Sequence, residues 1–309
     1  MKEGSVARPE VYVYKRVGGI ELRADVHRPD GGDVTPAILW LHGGALIFGH
    51  RATLAAEQLA CYLDAGYTVV CADYRLAPEA KLDAIIEDLR DAWAWLRQEG
   101  PVAFSVDPDR VAVVGHSAGG YLTLMAGFCV RPRPRALVSF YGYGDIAGPW
   151  YSRPDPFYSR APAAPRDEAL RAVGGGPITG TPFEGEPFEA RWRFYLYCRQ
   201  QGLWPREVTG HDPDEEPAWF NAYCPVRNVT TEYPPTLLLH GDRDTDVPYE
   251  QSAWMARELA WQGVRHEFLT LEGRGHGFDD DGMEDPVVAG AFERVLAFLA
   301  AQGMARRIG

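Results

Sequence analysis

The chain has 309 residues, 46% of them hydrophobic, which is enough to bury a large core in one α/β domain and by length alone would also permit two. Forty-three acidic residues against 31 lysines and arginines give a formal net charge of -12, which argues against an electrostatic grip on nucleic acid or on an anionic membrane. The five cysteines (Cys61, Cys71, Cys129, Cys198, Cys224) are odd in number, widely spaced and without a CxxC pair, so neither a disulfide framework nor a thiolate metal site is expected and buried reduced thiols are. The first sixteen residues lack the apolar core of a signal peptide, and no apolar run approaches the roughly 18 residues that would span a bilayer, so a cytoplasmic location is expected.

In chain order, Val11 to Tyr14 and Ile20 to His27 read as two strands joined by a hairpin at Gly18-Gly19, an antiparallel edge. Continuous apolar runs follow at Ala37 to Leu41, Tyr67 to Ala72, Val111 to Val114, Ala136 to Tyr141 and Thr236 to Leu239, as in strands buried on both faces. Helical segments lie between them at Leu54 to Asp64, Lys81 to Gln98, Tyr121 to Cys129, Tyr249 to Gln262 and Asp285 to Ala301. In the second, Ile85, Leu89, Ala92 or Trp93, and Leu96 make one apolar stripe. Strand and helix therefore alternate, and the fold class expected is α/β, a mostly parallel central sheet with helices on both faces.

The alternation fails between Gly142 and Pro234, which is rich in proline and aromatics. A structureless loop of that length is improbable in a compact domain, so residues 142–234 are expected to be a cap-like insertion with short helices, clearest at Phe188 to Gln201. Most of its aromatics are expected to bury a small core of its own. Residues 1–141 and 235–309 are then expected to form the main α/β core.

Val111 to Gly127 (VAVVGHSAGGYLTLMAG) is an apolar strand, a GxSxG turn and a buried helix. A serine on such a strained turn projects its hydroxyl, and the flanking glycines remove the Cβ collisions that would forbid the turn. A serine hydroxyl is a poor nucleophile and needs a base and a carboxylate to orient that base. His276 lies among glycines after the strand Glu267 to Leu271, where a loop can carry an imidazole across the sheet's carboxyl edge; His116 and His42 are expected only to shape their loops. The carboxylate falls in Leu237 to Pro248 (LLLHGDRDTDVP), where Asp244, Asp246 and Asp242 are the candidates in that order, the two not used being solvated or helix-capping. Leu41-His42-Gly43-Gly44-Ala45 follows the third strand, and its backbone N–H groups, with that of Ala118, could hold an oxyanion.

HGGA, DYRLAPE (Asp73 to Glu79), GHSAGG and the late HGF (His276 to Phe278) together resemble the α/β-hydrolase superfamily, most closely its hormone-sensitive-lipase-like esterases, from about Ile20 to the C-terminus outside the insertion. The resemblance implies Ser117 as nucleophile, His276 as base and Gly43, Gly44, Ala45 and Ala118 as the oxyanion region. Ala45 stands where the family has a third glycine. The acid loop is more similar to prolyl-oligopeptidase-like and dienelactone-hydrolase-like members, whose HGxxDxxV pattern selects Asp244 with Val247 in register. The activity implied is cleavage of a carboxylic ester by a serine hydrolase that needs no cofactor and no metal, and the aromatic insertion suggests substrates of small to medium size that are largely apolar. An arylformamidase-like or peptidase-like amide hydrolase would use the same residues, and a catalytically silent binding protein need not keep all three. The acidic run Asp279-Asp280-Asp281 is expected to be a solvated loop. No nucleic-acid partner is expected, and the oligomeric state is left open, a homo-oligomer included.

Overall fold

The computed structural model describes residues 8–181 and 184–305; the first part of the N-terminal stretch read for a leader lies outside them. β1 (Glu10–Val17) and β2 (Ile20–His27) form an antiparallel hairpin whose turn residues Gly18 and Gly19 have φ of 58° and 83°, the left-handed values that a two-residue hairpin turn requires. β3 (Thr35–Leu41), β4 (Thr68–Ala72), β5 (Val106–His116), β6 (Leu137–Phe140), β7 (Thr236–Gly241) and β8 (His266–Leu271) complete an eight-stranded sheet in the order β1-β2-β4-β3-β5-β6-β7-β8. From β4 to β8 every pairing is parallel.

Successive side chains of β3 go to opposite faces. Ala37, Leu39 and Leu41 join one core with α2 (Leu82–Ala103) and α3 (Ala118–Cys129), while Ile38 and Trp40 join the other with α1 (Ala56–Asp64). Between β6 and β7 lie α4 (Pro149–Ser152), α5 (Arg166–Arg171), α6 (Gly185–Gln201) and α7 (Trp204–Thr209); α8 (Glu250–Trp261) and α9 (Pro286–Leu299) follow later strands.

Two expectations change. The aromatics of the 142–234 segment do not close a core of their own: Tyr151, Phe194, Tyr195, Trp204 and Phe220 are buried in the same cluster as Leu39, Val113 and Leu124 on the sheet face that carries α2 and α3. The segment is tied down by charge as well. Arg191 of α6, with 5% of its side chain exposed, makes a two-pronged pair with Glu79 (3.0 and 2.9 Å) and donates to the carbonyl oxygens of Ile47 and Ala77.

The second change concerns bilayer-length helices. Pro286–Met304, which is α9 and the turn that extends it, is long and apolar enough to cross a bilayer by length and composition. Glu293 and Arg294 interrupt its apolar run, so the linear sequence does not show it as one block. Val288, Ala291, Phe292, Val295, Phe298 and Leu299 face the sheet, and the helix is a core element of the second layer. All five cysteines are unpaired; Cys71, Cys198 and Cys224 are buried, and Cys61 and Cys129 partly so.

Candidate active site

Four loops converge at the carboxyl edge of the sheet, after β3, β5, β7 and β8, which is where open α/β sheets bind ligands. β5 ends at His116 and α3 begins at Ala118, so Ser117 alone makes the turn, with φ 54° and ψ -114°. Its strained conformation is held from both sides, since Ser117 N donates to the Phe140 carbonyl and Tyr121 N to the Ser117 carbonyl, both at 2.9 Å. The flanking glycines are needed for space rather than for dihedral freedom. A Cβ on Gly115 would lie 2.2 Å from the Gly119 carbonyl oxygen, and one on Gly119 would lie 2.0 Å from that of Leu41.

The loop after β3 runs beside Ser117. A Cβ on Gly43 would come within 3.4 Å of Ser117 Cβ, and Gly44, with φ 104°, has the Phe48 carbonyl oxygen where its Cβ would be. Ala45 is left-handed too (φ 53°) and keeps a methyl there. His42 is fully buried, stacked on Tyr74 with ring centroids 4.1 Å apart; burial pushes its pKa down to about 3, so it is a neutral structural ring. The DYRLAPE segment braces this loop, Tyr74 Oη donating to the His42 carbonyl at 2.8 Å. Ala118 opens α3, so its N–H is among those with no partner inside the helix.

His276 Nε2 is 3.0 Å from Ser117 Oγ, and Nδ1 is 2.7 Å from Asp244 Oδ2. Of the three candidate aspartates, Asp244 has the orienting position, for a local reason. Its Oδ1 accepts from the backbone N–H groups of Asp246 (2.8 Å) and Val247 (2.9 Å), which aims Oδ2 at His276 and, 3.1 Å away, at His240 Nε2. Burial alone would raise the Asp244 pKa, but the two histidines outweigh it and hold the carboxylate below its usual range. His276 shows the opposite balance: burial favours the neutral ring, yet Asp246 and Asp244 together raise its pKa above the ordinary value.

The other two aspartates are not idle. Asp242 accepts from Gly273 N at 2.6 Å and so braces the loop that carries His276. Asp246, for which a solvated or capping role was expected, faces the cavity: Oδ1 accepts from Tyr158 Oη, Tyr195 Oη and Arg199 at 2.9, 2.5 and 2.7 Å, and Oδ2 lies 3.5 Å from His276 Nε2. The acidic run also departs from expectation. Asp279 is 3% exposed and accepts from Gln58 and Tyr141 Oη, with His116 Nε2 at 3.2 Å. Burial opposes its charge, but His116 and these donors hold its pKa down at about 2. His116 thereby has a defined task, accepting from Trp40 Nε1 at 3.1 Å while its other nitrogen meets Asp279.

The cavity over Ser117 holds about 640 Å³. Gly43, Gly44, Ala45, Trp40 and Tyr141 line it from the sheet edge, and Tyr158, Phe188, Trp192 and Tyr195 from the 142–234 segment. The helix residues among these were legible in principle. Phe188, Trp192, Tyr195 and Arg199 recur at spacings of four, three and four, one face of α6. His240 at the end of β7 gave no comparable signal, because its role depends on Asp244 turning back toward it.

Two family models match the chain in tandem, one described as the alpha/beta hydrolase fold over residues 38–172 and one as the prolyl oligopeptidase family over residues 188–302. This division follows the split in the motifs between the glycine loop and the acid loop. Solved structures with the same fold include an alpha/beta hydrolase superfamily protein from Enterococcus faecalis (22% identical, TM-score 0.72, 96% of this chain and 100% of that one). Another is the esterase Est2 from Thermogutta terrifontis with propionate bound (22%, TM-score 0.70, 98% of each chain). Among curated proteins, the chain is 29% identical over 90% of its length to the non-reducing polyketide synthase Preu6 and 30% identical over 86% of it to Preu3, both of Preussia isomera. It spans only 14% and 12% of those proteins' lengths.

Proposed function

We propose, from the premise that this chain belongs to the α/β-hydrolase superfamily, that it is a serine hydrolase cleaving carboxylic esters of small to medium, largely apolar substrates through an acyl-enzyme. The observation that carries this reading is the unbroken line from Ser117 Oγ to His276 Nε2 (3.0 Å) and from Nδ1 to Asp244 Oδ2 (2.7 Å), drawn from three separate loops. As Ser117 Oγ bonds to the carbonyl carbon, its proton passes to His276 Nε2 and the carbonyl π pair moves to oxygen, where the N–H groups of Gly44, Ala45 and Ala118 receive it. The intermediate collapses with loss of the alcohol, which takes the proton from Nε2. A water then gives a proton to Nε2 and attacks the acyl carbon, and the acid leaves as Ser117 regains its proton.

Asp244 keeps Nδ1 protonated and steadies the imidazolium, and the aromatic walls supply apolar contact to the substrate. The likeness to an esterase solved with propionate bound supports short acyl chains. The likeness to polyketide synthases favours a second reading, in which the acyl group released is that of a polyketide; the same three residues would serve. Amide cleavage would also use them. The test is labelling by a fluorophosphonate, followed by turnover of p-nitrophenyl acetate, butyrate and octanoate, the matching thioesters and the p-nitroanilides, for wild type and Ser117→Ala. Ester turnover and labelling that both vanish in Ser117→Ala are expected. No labelling of Ser117, with no turnover of any substrate, would sink the reading.

A further inference from the structure

The hydrolase reading uses Asp244 and assigns no chemical step to a second carboxylate of the cavity, Asp246. Asp246 spends one oxygen on the protein: Oδ1 takes the hydroxyl donors of Tyr158 and Tyr195 and an N–H of Arg199. Its other oxygen, Oδ2, accepts no hydrogen bond among the described residues and lies 3.5 Å from His276 Nε2, and Asp246 is one of the residues that line the cavity. Arg199 does not neutralise it. That guanidinium is buried, 1% exposed, and is shared with Asp155, so the group of three carries one net negative charge.

The walls around Oδ2 are aromatic and acidic. Tyr158 and Tyr195, which hold Asp246, stand against Trp192, with ring centroids 6.2 and 5.6 Å from it, and Trp192 is 38% exposed at the rim. Asp280 also lines the cavity, and among the described residues no lysine or arginine does. A carboxylate whose second oxygen accepts no hydrogen bond among the described residues, with three aromatic rings beside it and no lysine or arginine on the cavity wall, is the arrangement that binds an ammonium ion, by charge and by the negative faces of the rings. Both tyrosine rings already meet one cation, since the Arg199 guanidinium carbon lies 4.8 Å from the Tyr158 ring centroid and 5.7 Å from that of Tyr195.

The geometry also says which end of the substrate would meet this site. In acyl transfer the imidazolium hands its Nε2 proton to the leaving oxygen, which must therefore sit roughly 3 Å from that nitrogen. Asp246 Oδ2, 3.5 Å from the same nitrogen, is a neighbour of the leaving group rather than of the acyl chain. We propose that the leaving-group side of the cavity is a cation subsite, formed by Asp246 with Tyr158, Trp192 and Tyr195, and that the preferred substrates are esters of amino alcohols. This rests on the hydrolase reading, and it adds a charged leaving group to the apolar acyl chain proposed there.

The test compares acetylcholine with 3,3-dimethylbutyl acetate, which differ only in whether the bulky end of the alcohol carries a permanent positive charge, and includes fluorophosphonate labelling of each protein. The wild type should prefer the charged ester by about tenfold in kcat/KM, the scale of one such cation site. Asp246→Asn should erase most of that ratio, and Trp192→Leu, which changes only a rim residue, should reduce it in the same direction. A ratio at or below one in a wild type that labels at Ser117, or a ratio that both variants leave unchanged, overturns the cation subsite while the hydrolase reading stands. No labelling and no turnover of either ester would overturn both.

Discussion

Replacing Asp244 by asparagine separates the two aspartates of the acid loop most sharply. The carboxylate has two functions on its two oxygens. Oδ1 caps the backbone N–H groups of Asp246 and Val247, and Oδ2 faces His276 Nδ1 at 2.7 Å. An asparagine keeps its carbonyl oxygen on the two backbone donors, so its amide nitrogen must turn to His276. Nδ1 then has to accept, the ring proton moves to Nε2, and Nε2 meets Ser117 Oγ at 3.0 Å as a donor that cannot take the serine proton. The charge that steadied the imidazolium is lost as well. Together these should lower kcat by about 10⁴-fold, equivalent to about 5 kcal/mol of barrier. The fold should survive, because the loop caps remain and His240 keeps its 3.0 Å contact with the Val247 carbonyl. Steady-state turnover of p-nitrophenyl butyrate, beside circular dichroism and a thermal melt, checks both halves. The reasoning is refuted if Asp244→Asn keeps more than about a tenth of kcat/KM while Asp246→Asn loses a thousandfold or more.

Other outcomes follow from the charges around the site. As the base of the proposed mechanism His276 must be neutral, and its pKa is raised because Asp246 and Asp244 outweigh burial, with Asp279 adding to them; the acid limb of kcat/KM should therefore lie above pH 6.5, the ordinary histidine value. Asp246→Asn should move that limb to lower pH, read from a pH–rate profile with a neutral ester; a limb that stays put would show that Asp246 does not act on the ring. Asp279 is depressed from the ordinary 3.8 to about 2, so its contribution to stability is present above pH 4 and lost as pH falls through about 2. Asp279→Asn should consequently cost about 2 kcal/mol more at pH 6 than at pH 2, measured by urea unfolding at the two pH values. Glu79→Ala would leave the buried Arg191 guanidinium without its carboxylate and should destabilise by about 3 to 5 kcal/mol, whereas Glu79→Leu with Arg191→Met should recover most of that loss in the same urea titration.

Much of the sheet edge was legible from short stretches of sequence. Val111 to Gly127 is legible as strand, turn and helix: four apolar residues need a buried strand, and Gly115 is required because the Gly119 carbonyl oxygen occupies the place of its Cβ, although Gly119 is required because the carbonyl oxygen of the distant Leu41 does. Gly44 in the loop after β3 and the hairpin at Gly18-Gly19 carry similarly local signals, since positive φ is demanded at the residue itself. Strands buried on both faces announce themselves by continuous apolar runs, and so the alternation of strand and helix was open to reading as well.

Only the tertiary structure decided how the polar groups divide their work. Asp244 and Asp246 are two residues apart on one loop and chemically identical, and what distinguishes them is that backbone amides on Asp246 and Val247 turn one carboxylate toward His276 while Tyr158, Tyr195 and Arg199 hold the other in the cavity wall. Those three residues lie far away in the chain, in a segment that buries its aromatics in the sheet's core rather than in one of its own. Asp279 likewise cannot be told from its neighbours Asp280 and Asp281 until Tyr141, Gln58 and His116 close around it. The physical reason is common to all of these. Strand burial and positive φ are read at the residues themselves, while the charge state and working contacts of a carboxylate depend on donors and cations, many of them distant in the chain, that the fold brings within about 3 Å.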